Sequence, residues 1–450
     1  MSAATVARGA PMRHEIGALV ALAMPIVIGK FALMAQSTVD VLLAGHYSAH
    51  VLGAVAMGGG VWWLALMGMT GLMMAVSPFV SELDGAGQRQ RVGEVFAQSV
   101  YLALLAGLLL LPVVRWGLPI LVAGMGVTPA LLVDVRAYLH AIAWATPAVP
   151  LYAACMGLSE GLAMPRPGMV LGVLGLMLLA PLGYALIYGA FGLPSLGARG
   201  SGLANAAVLW VQVLAFFGWI AWSGRYRGLG WRGAWRVRPA RMRQIALVGL
   251  PIAVSQVMES GLFTTAGLLV GGFGTAAAAS HLVAMNNCAL AFMIPLGLAF
   301  GATVRVGNAL GRGDRAGVRR AGLAGIVSCV AVQAVSSTVF LTAPHAVAAL
   351  YTNDPEVVAR AAVLLRLAGI FQLADGLQVG SIAALRGLKD TRAAMLITAT
   401  GYWGAGLPLA LFCAYWLGWE APGVWVGLIV ALTVVSGLLL TRFLRVSRVA

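Results

Sequence analysis

Acidic residues inside long apolar runs are the side chains of this sequence that packing explains least. Glu259 lies in the middle of residues 246–272, an apolar stretch of membrane length. A carboxylate at mid-membrane costs roughly 3 kcal/mol on insertion scales, so it is a functional-site hypothesis by default. Asp375 lies in another apolar run and Asp40 ends the first one. Because a low dielectric favours the protonated carboxyl, such a group can hold a proton at neutral pH and release it when a cation arrives.

Amide side chains accompany each acid three or four residues away, on the same helical face. These amides are Gln36 for Asp40, Gln256 for Glu259, and Gln372 and Gln378 for Asp375. Asn286 and Asn287 place two more amides inside the eighth apolar run. Polar stripes of this kind on apolar helices indicate a polar interior that binds ions or ligands. The alternative interpretation is that these amides form hydrogen bonds between helices. Pro25 and Pro251 are predicted hinges, because proline frees backbone carbonyls and lets a helix bend.

Composition determines the class of protein that can carry these stripes. Of the 450 residues, 61% are hydrophobic and only 10% are charged, against about 25% charged in soluble domains. Continuous apolar runs predict an all-α integral membrane protein and exclude a β-barrel, whose strands alternate. We expect twelve transmembrane helices, starting near about residues 16, 52, 93, 136, 168, 202, 243, 278, 319, 358, 393 and 423.

The basic residues predict the orientation in the membrane. With both termini in the cytoplasm, most of the 29 Lys and Arg residues fall in cytoplasmic loops, as the positive-inside rule requires. We therefore expect a multi-pass protein of the bacterial inner (plasma) membrane. This asymmetry explains the net charge of +15, so membrane lipids and not nucleic acid are the expected partners. ATP-binding and zinc-protease motifs are absent, and we expect neither enzymatic activity nor a cofactor.

An internal repeat divides the chain into two lobes. Residues 225–243 form a basic cytoplasmic linker with seven Arg and no acid. It separates an N-lobe, 1–224 with helices 1–6, from a C-lobe, 244–450 with helices 7–12. A constant offset of 226 residues relates Pro25 to Pro251, Gly85 to Gly311, Gly161 to Gly387 and Met169 to Met395. Two six-helix lobes related by a parallel repeat are typical of transporters, which place a substrate site between the halves.

The repeat does not duplicate the acids. It aligns Glu259 with Leu33, Asp375 with Val149 and Asp40 with Ala266. The two lobes therefore differ in chemistry although they share a scaffold.

Taken together, these features resemble the multidrug and toxic compound extrusion (MATE) family, in its NorM-like branch. The resemblance covers nearly the whole chain and rests on VDVLLAG at 39–45, LPI at 250–252, RVGN at 305–308, FQLADGLQ at 371–378 and ALRGLKDTR at 384–392. It implies two lobes around a cavity open alternately to either side. It also implies that Asp40 is the N-lobe acid, that Glu259 and Asp375 form the C-lobe cation or proton site, and that this site is a candidate for Na⁺.

Three positions depart from the family pattern. Relatives often carry asparagines in the fifth helix, where this chain has Leu179 and Gly183, and a tyrosine one turn before the acid of the tenth helix, where it has Phe371. Each change removes an oxygen ligand. Since Na⁺ needs several oxygens and a proton needs one carboxylate, the departures weaken the case for Na⁺ in both lobes.

The predicted function is secondary active multidrug efflux. Cationic or amphiphilic small molecules would leave the cell in exchange for Na⁺ or H⁺ by alternating access, through a monomer. The alternative is a flippase or exporter of lipid-linked saccharides from the same superfamily. That alternative favours a basic cavity for phosphates, whereas the mid-membrane charges here are mainly acidic.

Overall fold

The structure is a computed structural model that describes residues 12–448. Within that range every regular element is helical, and twelve helical spans have the length and hydropathy to cross a membrane, which confirms the predicted fold class. Spans 1 to 12 are Met12–Tyr47, Ala49–Gly85, Arg89–Ala123, Pro129–Gly161, Arg166–Tyr188, Ala198–Trp222, Pro239–Gly271, Thr275–Gly311, Arg315–Thr342, Pro355–Gly387, Thr391–Trp416 and Glu420–Val446.

Four spans are not regular helices throughout. Span 2 is interrupted between Ala49–Met73 and Val76–Gly85, and span 4 contains a 3₁₀ turn between its two helices. Spans 3 and 11 contain π-helical turns, at Val113–Gly117 in span 3 and at Thr400–Gly406 and Phe412–Trp416 in span 11. A π-turn is frequent near functional sites because it shifts the face that a helix presents.

Packing divides the described residues into two compact units. The N unit is Ile28–Ala253, and the C unit comprises residues 12–27 and 254–448. The units therefore change inside spans 1 and 7, after Val27 and after Ala253, and these points are separated by the repeat offset of 226 residues. Pro25 and Pro251 each lie two residues before such a point. The lobes 1–224 and 244–450 stay the predicted copies of the repeat, whereas packing exchanges the first part of spans 1 and 7.

A buried ion pair fixes the first part of span 1 in the C unit. Arg305 Nε donates to Glu15 Oε1 at 2.6 Å, and both side chains are buried. Leu19 and Ala23 pack nearby in a cluster with Leu298. In the membrane, where lipid tails are as apolar as the helices, such close packing and polar contacts supply the association energy.

The linker is folded onto span 3 within the N unit. Gln98, which is fully buried, donates from Nε2 to the carbonyl oxygens of Ala234 and Arg236 at 3.2 and 2.8 Å. Its Oε1 accepts from the backbone N–H of Arg238 at 2.8 Å. One glutamine thus satisfies three backbone groups that the irregular linker leaves without a helical partner.

Candidate functional site

Spans 7 and 10 of the C unit carry Glu259 and Asp375. Glu259 is half-buried, and its Oε1 accepts from Gln378 Nε2 at 3.3 Å. Gln378 Oε1 in turn accepts a hydrogen bond from the hydroxyl of Tyr402, a fully buried residue in the first π-turn of span 11. The predicted amide therefore joins the acid of span 7 to a tyrosine of span 11.

Asp375 is buried and has a different amide partner. Gln333 of span 9 donates from Nε2 to Asp375 Oδ2 at 2.8 Å and to Gln372 Oε1 at 3.3 Å. The exposed fraction of Gln333 is 0%, and its Oε1 has no hydrogen-bond partner within residues 12–448. A carboxylate held by one amide donor, with an uncommitted amide oxygen beside it, is a site that can accept a cation or a proton.

The two acids act on each other electrostatically. Asp375 senses the charge of Glu259, and Glu259 also interacts with the guanidinium of Arg386, which lies further along span 10. Two carboxylates that interact in a low dielectric resist being charged together, so a proton on one favours the charged form of the other. Arg386 is the positive charge that acts on Glu259.

Aromatic side chains close this site on one side. Phe371 is buried, and its ring contacts those of Phe263 and Trp425 with centroids 6.1 and 5.9 Å apart. Trp425 Nε1 donates to His281 Nδ1 at 3.2 Å. Phe371 thus packs within a cluster of side chains from spans 7, 8, 10 and 12. Because it lacks the hydroxyl of a tyrosine, it presents an apolar surface one turn before Asp375.

The N unit holds Asp40 in a simpler setting. Asp40 is buried, and its Oδ1 accepts from Ser201 Oγ of span 6 at 2.7 Å. Asn205, one turn later, donates from Nδ2 to the carbonyl oxygen of Ser201 at 3.0 Å and lies near this carboxylate. Gln36, one turn before Asp40, instead donates to the carbonyl oxygen of Gly172 at 3.1 Å. A neutral hydroxyl of span 6 therefore holds Asp40, and the amide on the helix of Asp40 joins spans 1 and 5.

The remaining predicted residues lie apart from these contacts. Gln256 is half-buried on span 7, and Asn286 is exposed on span 8. Asn287 donates to the carbonyl oxygen of Val283 in its own helix at 2.9 Å. Pro25 and Pro251 lie inside helices that continue through them. The structure thus brings Gln378 to Glu259 and Gln372 to the amide that binds Asp375, whereas Asn287 bonds within its own helix.

The acids also have partners that sequence reasoning missed. These are Gln333 and Tyr402 for the C unit, Ser201 and Asn205 for Asp40, and Arg386 as a charge neighbour. All of them lie on a helix other than that of the acid they serve. Spacing along one helix identifies residues on the same face, but contacts between helices depend on packing.

Comparison with known proteins adds an independent line of evidence. Residues 25–185 and 251–412 each match the sequence profile of the family described as MatE. Their starts are separated by the 226-residue offset of the internal repeat. A protein of Xanthomonas campestris named probable multidrug resistance protein NorM is 40% identical over 95% of this chain and 93% of its own. The chain belongs to the MatE family.

A further relative agrees with this assignment, and two solved structures share the fold. The multidrug resistance protein PmpM of Pseudomonas aeruginosa is 38% identical over 98% of this chain and 94% of its own. The eukaryotic MATE transporter AtDTX14 has the same fold, with a TM-score of 0.86 at 18% identity over 97% of this chain and 99% of its own. A MATE structure in the bent conformation gives a TM-score of 0.88 at 18% identity over 97% of each chain.

Membership decides the class of activity. MATE proteins are transporters, so this chain is a multi-pass membrane transporter rather than an enzyme. The predicted family resemblance is thereby confirmed, together with the twelve-helix fold.

Proposed function

We propose that this MATE protein is a secondary antiporter that exports cationic or amphiphilic compounds against an inward ion gradient by alternating access. The observation that carries the proposal is the C-unit pair of Glu259 and Asp375. The two intramembrane acids interact electrostatically and are held by neutral amides, so a cation or proton that binds one of them also relieves the repulsion on the other. The names of the curated relatives, multidrug resistance proteins, support drugs as the exported class.

We propose H⁺ as the coupling ion, on the chemistry of the available oxygens. The ion is a transported substrate and not a resident cofactor. The Oε1 atom of Gln378 already accepts from Tyr402, and the Oε1 atom of Gln372 already accepts from Gln333. Besides the carboxylates, Gln333 Oε1 is the uncommitted amide oxygen of this network. Na⁺ prefers several oxygen ligands, whereas one carboxylate suffices for a proton, so the donor set suits H⁺ better.

Protonation would release the drug by removing its electrostatic attraction. With Glu259 or Asp375 charged, the site attracts a cationic drug; a proton arriving from outside the cell neutralises that charge and weakens binding. This direction assumes cytoplasmic termini in the bacterial inner membrane, which the basic loops favour. Asp40 would provide a second, separately held carboxylate in the N unit.

Ethidium uptake into proteoliposomes tests the function and the ion together. Vesicles with an acidic lumen provide a pure pH gradient, and vesicles with a Na⁺-loaded lumen at equal pH provide a pure Na⁺ gradient. We expect uptake under the pH gradient only. Uptake driven by Na⁺ alone would overturn H⁺ coupling, and ethidium movement under neither gradient would overturn antiport itself.

A matched carboxylate provides the control. Glu356 is an exposed acid that forms an ion pair with Arg360 one turn later at 3.0 Å. Glu356→Gln removes a carboxylate as Glu259→Gln does, but outside the site, so its uptake should equal that of the wild type. Equal uptake by Glu259→Gln and Glu356→Gln would contradict the assigned role of Glu259.

A further inference from the structure

Two charged residues of the N unit have no part in the proposed coupling site. Lys30 lies on span 1 and Glu160 lies near the end of span 4. Their side chains interact electrostatically, and only 3% of Glu160 is exposed. Intramembrane charges are costly and tend to face a partner of opposite sign.

Close helix packing explains why this acid is buried. Gly157 and Gly161, on either side of Glu160, leave no room for a Cβ beside Val76 and Val80 of span 2. Small residues let helices approach closely, so the backbone around Glu160 is pressed against span 2. Glu160 is therefore enclosed although it lies next to the end of its helix.

Spans 1, 4 and 5 meet next to this pair. Gly29, the neighbour of Lys30, packs against the backbone of Gly168 and Met169 at the start of span 5. Gly168 also lies against the Met156 sulfur of span 4, one turn before Glu160. The start of span 5 therefore contacts span 1 next to Lys30 and span 4 one turn before Glu160.

Hydrogen bonds do not fully offset the burial of the Glu160 carboxylate. Its Oε1 is buried and has no hydrogen-bond partner in the part of the chain that the structure describes. A buried charge without enough hydrogen bonds depends on an opposite charge. Lys30 is the positive charge that acts on Glu160.

The internal repeat relates this pair to the coupling site. The offset of 226 residues aligns Glu160 with Arg386, and it aligns Lys30 with Gln256, one helical turn before Glu259. In the C unit the acid is on the first span of the repeat and the base on the fourth; in the N unit the positions of acid and base are reversed. Both units thus place one charge of each sign on these two helices, at matching positions of the fourth helix and one turn apart on the first.

We propose that Lys30 and Glu160 are a charge pair of inverted polarity that positions span 1 against span 4 and sets the rate of transport. They are positioning residues, since neither belongs to the proposed ion site. The inference rests on the proposed function, because turnover is its readout. Loss of the Lys30 charge leaves the buried Glu160 carboxylate without the positive charge that acts on it, which destabilises the arrangement that span 1 must keep during turnover.

Charge-neutral and charge-swapped variants test the pair in proteoliposomes. Lys30→Met and Glu160→Gln should each lower the maximal rate of ethidium uptake about tenfold. The ethidium concentration that gives half-maximal uptake should change by no more than about twofold. The double swap Lys30→Glu with Glu160→Lys should recover at least about one third of the wild-type rate. Lys30→Arg and Glu160→Asp keep the charges and should stay close to the wild type.

Ser159→Ala is the matched control for local packing. Ser159 precedes Glu160, is buried, and exchanges a 2.8 Å hydrogen bond with the Tyr226 hydroxyl. Its loss disturbs the same helix end without changing any charge, so its maximal rate should exceed that of Glu160→Gln. If Lys30→Met and Glu160→Gln both transport ethidium at the wild-type rate, the proposal is overturned. It is also overturned if the charge-swapped double variant shows no higher protein yield and no faster uptake than the single variants.

A stability measurement distinguishes failure of this inference from failure of the proposed function. If the wild type moves no ethidium under any gradient, antiport fails, and thermal unfolding of the two single variants and their double neutral variant then decides the pairing. If the change in unfolding temperature of the double variant differs from the sum of the two single changes, the pairing is supported. If it equals that sum, the pairing is overturned.

Discussion

The two units place charges on corresponding helices but stabilise them differently. In the C unit, Glu259 and Asp375 interact with each other and are bound by amides from spans 9 and 10. In the N unit, Asp40 accepts a hydrogen bond from the neutral Ser201 hydroxyl of span 6. The two copies of the six-helix scaffold thus share their helices, while the positions and the partners of their acids differ. A carboxylate pair can transmit the effect of one proton to both members, whereas a single carboxylate held by neutral groups cannot.

The largest effect should follow neutralisation of the C-unit pair. Glu259→Gln and Asp375→Asn should each reduce the initial rate of ethidium uptake about 100-fold, since groups that act as a unit fail together. For the same reason the double variant should be no slower than the slower single variant. Losses that multiply in the double variant would show two independent sites and would remove the main difference from the N unit.

The amide of span 9 should rank second. Gln333→Leu removes the 2.8 Å hydrogen bond to Asp375 while keeping a side chain of similar size. A hydrogen bond to a charged group contributes about 1.5–3 kcal/mol, which corresponds to roughly a tenfold or larger loss of uptake rate. Gln372→Leu is the comparison variant, because it removes the amide that bonds to Gln333 but not to the acid. Equal losses in both variants would contradict a direct role of Gln333.

Asp40 should show an intermediate effect that sharpens the comparison. Asp40→Asn should slow uptake about three- to tenfold, since the proposed coupling pair of the C unit stays intact. Ser201→Ala, which removes the donor 2.7 Å from its carboxylate, should give a smaller loss in the same direction, and Ser201→Thr should retain the wild-type rate because it keeps a hydroxyl. A loss in Asp40→Asn as large as in Asp375→Asn would make the units functionally equal.

The smallest effect on transport should come from the linker. Gln98→Ala removes three hydrogen bonds that hold residues 234–238 on span 3. At about 0.5–1.5 kcal/mol each, their loss should destabilise the folded linker. Trypsin, which cleaves after arginine, should then cut this seven-Arg segment faster, while uptake stays within about twofold of the wild type. An unchanged cleavage rate would contradict the role of Gln98.

The sequence predicted the scaffold more completely than the site. Apolar runs and the 226-residue offset specify twelve spans and a repeat, because lipid requires long helices whose backbone is bonded internally. The acids were also predictable, since a charge in an apolar run is conspicuous. Gln333 and Ser201 were not, because they lie on helices other than those of the acids they bind.

Glu160 shows a second limit of sequence reasoning. It lies near the end of an apolar run, before a loop, where an acid usually contacts water. Its burial results from Gly157 and Gly161, whose small size brings span 4 against span 2. The alignment of Glu160 with Arg386 was the available signal, but a difference in charge sign between repeat copies is not evidence of a pair until the helices are placed.

The exchange of the first parts of spans 1 and 7 amounts to a domain swap inside one chain. Neither half of the sequence contains a complete unit, because residues 12–27 pack with the C unit and residues before Val254 pack with the N unit. A C-terminal half expressed alone would bury the Arg305 guanidinium without the Glu15 carboxylate that binds it. Two halves that are produced separately would therefore have to associate and exchange these segments to form a stable protein.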